Sequence, residues 1–212
     1  MNSRVLLLDF DGVLYSNKSA HKIIADRSTR YCNRFIKSHN KVFVENFHQN
    51  LYKTHGHSVV GLQKIGYNAN ITDYNNYCFS NLDFNNMDND LDNSKSINEL
   101  INNLRYHNIN TYLFSNAPNV WTVPLLRKMN INISENNILE MNKLKPTLEV
   151  YQDIEDIFKG HQLYFVDDNM INFTNIMNNP KWMKILYANT RIDIKDDLKV
   201  INELEQIDDL II

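Results

Sequence analysis

Four consecutive apolar residues running straight into two carboxylates, Val5-Leu-Leu-Leu-Asp9-Phe-Asp11-Gly-Val-Leu-Tyr15, constrain this chain more than any other stretch. An uninterrupted apolar run of that length predicts a strand buried on both faces, as in a parallel sheet. Such a strand delivers Asp9 and Asp11 from its carboxyl end, where open α/β sheets bind ligands. Two unit charges about 4 Å apart repel by roughly 4 kcal/mol at an effective dielectric near 20, so the pair calls for a cation, a proton or a basic partner.

Further apolar segments repeat the pattern. Thr111–Phe114 ends in Ser115-Asn116, Leu163–Val166 ends in Asp167-Asp168-Asn169, and Ile185–Ala188 reads as a last strand. A brief strand is expected at Ile138–Met141, followed by the loop Lys143-Leu-Lys145-Pro146-Thr147 and a helix through Val150, Ile154 and Phe158. Ser96 and Glu99 have capping-box spacing at the start of another helix, and Ile194–Ile211 reads as a C-terminal amphipathic helix. Strands alternating with helices predict an α/β fold, a Rossmann-like, mostly parallel sheet with right-handed crossovers. Its strand ends bring Ser115, the Lys145 loop, Asp167 and Asp168 to the edge that carries Asp9 and Asp11.

Between the first two strands the pattern changes. From Ser16 to Leu91 aromatic and apolar residues recur at helical spacing, with no strand run. The expected organisation is a core domain of residues 1–15 and 92–212 with a small α-helical cap domain, 16–91, inserted. The two glycines of His55-Gly-His57-Ser-Val-Val-Gly61-Leu predict a break there, and Gly66 a left-handed helix cap. The polar stretch Asn85–Asn93 reads as a linker.

Composition excludes several classes. With 43% hydrophobic residues and a net charge of −3, both signs interspersed, there is core enough for a globular protein and no basic face for a nucleic acid polymer or an anionic membrane. The first strand starts within a few residues of Met1, leaving no room for a signal peptide, so a cytoplasmic location is expected. Cys32 and Cys78 lack disulfide or metal spacing. About one residue in six is asparagine; we read this as coding bias, because it leaves the apolar periodicity intact.

The converging residues suit one chemistry. A carboxylate attacking phosphorus must overcome the charge of the phosphate, which requires a metal ion and fixed positive charge. Asp9 is the candidate nucleophile and Asp11 the general acid and base. Asp9, Asp168 and the backbone carbonyl of Asp11 form an oxygen-only set suited to Mg²⁺, with Asp167 behind them. Ser115 and the N–H groups after it, with Asn116, are candidates to hold phosphate oxygens, and Lys145 to balance charge. Taken singly, Ser115-Asn116 and Asp167-Asp168 also read as helix caps, and Lys145 as a loop lysine. Trp121 and Trp182 read as packing residues.

The ordered set Asp9-Phe-Asp11-Gly, Ser115-Asn116, Lys145-Pro146 and Val166-Asp167-Asp168-Asn169 resembles the haloacid dehalogenase superfamily over essentially the whole chain. An aspartate at the position of Asp11 puts the resemblance on the phosphatase side, and an insert after the first motif is where such members carry a helical cap. Leu51-Tyr52-Lys-Thr-His55-Gly56-His-Ser58-Val-Val-Gly61-Leu62, with Tyr15, is similar to the cap segment of pyrimidine 5′-nucleotidases. Tyr52, His55 and Ser58 are accordingly the candidates for contacting the non-phosphate part of a substrate. Gly12-Val13, where that group has Asn-Thr, is shared with sugar-phosphate phosphatases and mutases. The expected partner is a small phosphorylated metabolite, the expected activity hydrolysis of a nucleoside 5′-monophosphate; a sugar-phosphate phosphatase or mutase and a non-catalytic binding module are the alternatives.

Overall fold

The computed structural model describes residues 3–91, 93–188 and 198–212. Five parallel strands form one sheet: β1 (Ser3–Leu8), β2 (Asn110–Leu113), β3 (His161–Asp167), β4 (Trp182–Tyr187) and β5 (Leu198–Ile201), in the order β2-β1-β3-β4-β5. The α/β class read from the sequence is the one observed. The chain passes from β1 outward to β2 and then returns across β1 to β3. That reversal between β1 and β3 is a topological switch point, where a crevice opens beyond the strand ends.

Val5, Leu6, Leu7 and Leu8 are all buried, because a central parallel strand has no solvent face. Val5 and Leu7 pack with Leu163, Phe165, Trp182 and Leu186 against Val150, Tyr151 and Ile154. Those last three lie on helix α7 (Leu148–Ile157). By the period of two, Leu6 and Leu8 face the other side of the sheet. There α5 (Ser94–Tyr106) buries Ile97, Leu100, Ile101 and Leu104, a helical stripe, and Asn103 Nδ2 donates to Asp208 Oδ2 on α8 (Gln206–Ile211) at 2.8 Å. Helix α6 (Asn119–Lys128) follows β2, with Pro118 at its N-cap.

Several expected elements differ. Ile138–Met141 forms no strand, only one bridge from Ile138 to Leu113 after a turn of 3₁₀ helix at Glu135–Asn137. Of the expected C-terminal helix, residues 194–197 lie outside the described set; Leu198–Ile201 is instead edge strand β5, and only Gln206–Ile211 is helical. Helix α5 begins at Ser94, so Ser96 stands inside it and caps nothing. After Asn169 the chain makes only a 3₁₀ turn, Met170–Phe173, before β4.

The chain divides into two compact units, residues 1–16 with 89–212, and residues 17–88. Asn89, read from the sequence as part of a linker, belongs to the sheet-bearing unit for a visible reason: its Oδ1 accepts from Ser16 N and Leu91 N, and its Nδ2 donates to Leu14 O. The other unit is helical among its described residues: α1 (Lys18–Ile36), α2 (Lys41–His55), α3 (Ser58–Lys64) and α4 (Ile71–Phe79), followed by one 3₁₀ turn. Asn17, Asn40, His57 and Asn70 cap the four helices with side-chain acceptors.

Gly56 ends α2 in the left-handed conformation. Gly66, at φ +94°, follows α3 in the same region, as expected. Gly61 does not break the unit; it sits within α3, where an added Cβ would lie 2.9 Å from Leu51 Cβ on α2. That neighbour is anchored to backbone and cannot rotate away. Gly61→Ala would gain about 1 kcal/mol of helix propensity and lose roughly 1–3 kcal/mol to overpacking. A lowered midpoint in urea unfolding is expected; an unchanged or raised one would show that α2 and α3 separate freely.

Candidate active site

The sheet places Asp9 one residue beyond β1 and Asp167 at the end of β3, on either side of the switch point. Asp9 N donates to Val166 O at 2.9 Å, which extends the β1–β3 ladder to the site itself. Lys145 comes to the same place from the loop before α7. Its side chain is 1% exposed, and Nζ lies 2.6 Å from Asp167 Oδ2 and 3.1 Å from Asp9 Oδ1. The ammonium also stands over the rings of Phe165 and Phe114, 4.9 and 5.2 Å from their centroids. Burial alone would lower the lysine pKa, but the Asp167 and Asp9 carboxylates outweigh it and hold the ammonium above its ordinary range.

Asparagine amides set the backbone and side chains around this charge. Asn116 Nδ2 donates to Lys145 O at 2.9 Å while Asn116 Oδ1 accepts from Lys145 N at 2.8 Å. Both ends of the amide expected to meet substrate are therefore engaged with the lysine. Asn172 Nδ2 donates to both oxygens of Asp167, at 2.9 and 2.8 Å, and Asn169 N donates to Oδ1 at 2.8 Å. Tyr151 OH in turn donates to Asn172 O. Asn172 had no signal in the sequence beyond an asparagine three residues past Asn169, among many asparagines.

Ser115 lies in the loop after β2, half-buried, with Oγ accepting from Ala117 N at 3.2 Å. Asp11, two residues past Asp9, forms a bridge with Tyr15 and receives a hydrogen bond at Oδ1 from Trp121 Nε1, 3.0 Å away. Trp121 is buried, as a packing residue should be, but its indole N–H has a polar role that sequence reading missed. The three remaining candidates lie in the helical unit and differ in exposure: Tyr52 on α2 is exposed, His55 at its end is half-buried, and Ser58 at the start of α3 is buried.

Asp9, Asp167 and Asp168 each offer an oxygen, and those oxygens lie within 4.8 Å of one another. The side chain of Asp11 is not among them. Three carboxylates share one ammonium, an excess of two negative charges when all are ionised. Asp9 Oδ1 is buried and, despite its ion pair with Lys145, accepts no hydrogen bond of good geometry. An oxygen-only donor set with a surplus of two charges fits Mg²⁺. Gly12 leaves room for the third carboxylate: at φ +84°, an added Cβ would lie 2.1 Å from Asp168 Oδ2.

With a sheet order reversing at β1/β3 and this carboxylate group at the crevice, comparison with known proteins is informative. No protein-family model and no curated protein sequence matches the chain. A solved structure does: a phosphoserine phosphohydrolase-like protein from Francisella tularensis subsp. tularensis SCHU S4, with a TM-score of 0.53, 16% identity, and coverage of 99% of this chain and 100% of that one. The fold is haloacid dehalogenase-like. This agrees with the fold that the motif order implied. Among the described residues no helix is long and apolar enough to cross a membrane.

Burial pushes the Asp167 carboxyl from 3.8 up to about 6, the Asp9 charge adding to the rise and Lys145 opposing it. Asp168 rises to about 7, through burial first and then the Asp9 and Asp167 charges, although its exposed edge lets water screen part of this. Between about pH 4 and 7 the folded protein retains protons that the unfolded chain has released, so its stability falls as pH rises through that window. A cation competes with those protons. Added Mg²⁺ is expected to raise the melting temperature more at pH 8 than at pH 5; equal shifts would mean that it binds elsewhere. Gly12→Ala is expected to abolish the shift and to cost about 1–2 kcal/mol of stability through its left-handed backbone; a full Mg²⁺ shift in this variant would place the cation away from Asp168.

Proposed function

We propose that this protein is a Mg²⁺-dependent phosphohydrolase of small phosphomonoesters, working through an aspartyl-phosphate on Asp9. The observation that carries this reading is the meeting of Asp9, Asp167 and Asp168 around the buried Lys145 ammonium at the switch point of the sheet. Asp9, Asp168 and the Asp11 carbonyl would hold the cation, with Asp167 behind them; when bound, it supplies Lewis-acid neutralisation of phosphoryl charge.

The remaining steps belong to the chain. A carboxylate oxygen of Asp9 attacks phosphorus, forming the O–P bond as the bond to the leaving oxygen breaks. Protonated Asp11 gives its proton to that leaving oxygen. The resulting Asp11 carboxylate then takes a proton from water, whose oxygen attacks phosphorus and releases inorganic phosphate from Asp9. Lys145 offsets negative charge on Asp9 before attack and on the phosphoryl group after it. Ser115 and the backbone N–H groups beyond it hold phosphoryl oxygens.

Residues 17–88 are proposed as a helical cap that excludes bulk water and reads the rest of the substrate through Tyr52, His55 and Ser58. Their similarity to pyrimidine 5′-nucleotidases makes a nucleoside 5′-monophosphate the leading substrate. The description of the Francisella protein adds phosphoserine to the compounds worth testing, beside sugar phosphates. Phosphate release should be measured with Mg²⁺ across these classes, beside Asp9→Asn. Activity on at least one class, falling by about 10³-fold or more in Asp9→Asn, is expected. Equal release by the variant would exclude Asp9 as nucleophile, and silence on every class together with tight capture of a protein partner would favour a binding module.

A further inference from the structure

Lys145 is held from two directions. Its ammonium sits between Asp167 and Asp9, while its backbone N–H and C=O both pair with one side-chain amide. Asn116 Oδ1 accepts from Lys145 N at 2.8 Å, and Asn116 Nδ2 donates to Lys145 O at 2.9 Å. The amide exchanges both bonds with a single residue, as two paired strand residues do, across 29 positions of sequence. The lysine lies in the loop before α7, outside the sheet, and Pro146 after it has no N–H to contribute. Backbone groups in a loop that buries its side chain still need partners.

The sheet fixes the other side of this clasp. Phe114 N, two residues before Asn116, donates to Leu8 O at 2.8 Å, and Leu8 is the residue before Asp9. The ladder thus sets Asn116 relative to the candidate nucleophile, and the clasp carries that setting to Lys145. The other bonds of the loop do not reach β1 or β2. Asn175 Nδ2 donates to Pro146 O from the segment after β3, and Thr147 N and Oγ1 donate to Leu144 O at 2.9 and 2.7 Å. Asn116 also follows Ser115 directly, so one residue links the hydroxyl proposed to hold phosphoryl oxygens with the ammonium proposed to balance their charge.

We propose that Asn116 is a positioning residue that acts through Lys145: it fixes the ammonium relative to Asp9 and Ser115 rather than binding phosphate itself. The inference rests on the phosphohydrolase reading. Of the three polar positions of the amide, the acceptor and one N–H are already engaged with the Lys145 backbone. Charge compensation is sensitive to placement, since a displacement of about 1 Å can cost on the order of 10²-fold in rate.

Two measurements test this. In the ¹⁵N-labelled protein, hydrogen exchange at the Lys145 amide should be about tenfold faster or more in Asn116→Ala than in wild type. The Asp9 amide, which donates to Val166 O, should keep its rate. Equal exchange at Lys145 would overturn the inference whatever substrate is cleaved, and an equal acceleration at Asp9 would make Asn116 a packing residue. The second measurement is kcat/KM on p-nitrophenyl phosphate with Mg²⁺, for Asn116→Ala in the wild-type, Ser115→Ala and Lys145→Ala backgrounds. A loss of about tenfold or more is expected in the first two and of less than about twofold in the third. An undiminished loss without the lysine, or a loss below about threefold in the wild-type background, would overturn the inference and leave the phosphohydrolase reading standing. A wild type inactive on every phosphomonoester would overturn that reading and this one with it. Should Lys145→Ala fail to fold, Lys145→Met, which keeps a buried apolar stem, takes its place in the comparison.

Discussion

The structure around the switch point depends on one buried ammonium. Lys145 is taken out of water, which is costly for any lysine, and the cost is offset by two carboxylates and two aromatic faces. Removing one partner from such a pair typically costs about 3–5 kcal/mol, because the other charge is left buried and unmatched. With all three carboxylates ionised, the arrangement nonetheless falls short of neutrality by two charges. Asp9 and Asp167 are shared with Lys145 while Asp168 adds a third carboxylate, a donor set that would suit a divalent cation.

Asparagine does much of the positioning. Its amide carries a donor and an acceptor side by side, which suits it to clasp a backbone segment from both ends. Asn116 clasps Lys145 in this way, Asn89 holds the turn after Tyr15, and Asn172 fixes both oxygens of Asp167. The abundance of asparagine does not by itself account for these placements. Three of the four caps in the helical unit are asparagines as well. A residue type that is common everywhere carries no signal by its identity, which is why these roles were invisible in the sequence.

What was legible follows from the range of the interactions. The buried run Val5–Leu8 identified a central parallel strand, and the acidic and basic residues at strand ends followed from the topology, because parallel strands share one carboxyl edge. Asp9, Lys145, Asp167 and Asp168 could thus be grouped before any contact was known. Leu198–Ile201 was lost because four residues with one lysine at a sheet edge fit a helical period as well as an alternating one. Ile138–Met141 has the composition of a strand but only one bridge, since the chain there leaves the sheet toward the Lys145 loop. Trp121 was read by its bulk. Its hydrogen bond to Asp11 spans 110 positions in sequence and leaves no local trace.

The helical unit shows how burial limits what a histidine can do. His57 is buried, accepts from Val59 N at Nδ1 and meets the Tyr74 ring at 4.8 Å; burial, and secondarily His48, push its pKa down to about 3. His48 is lowered by burial too. Both are neutral at physiological pH, so they cap and pack rather than attract phosphate. Tyr74 OH and Ser28 Oγ pair at 2.7 Å, and burial raises the Cys32 and Cys78 thiols to about 12 and 11, leaving them unreactive. These buried polar groups are engaged with partners inside their own unit. Of the three residues there that the sequence singled out, Tyr52 keeps a solvent face, His55 is half-buried and Ser58 is buried, so exposure separates them where sequence spacing did not.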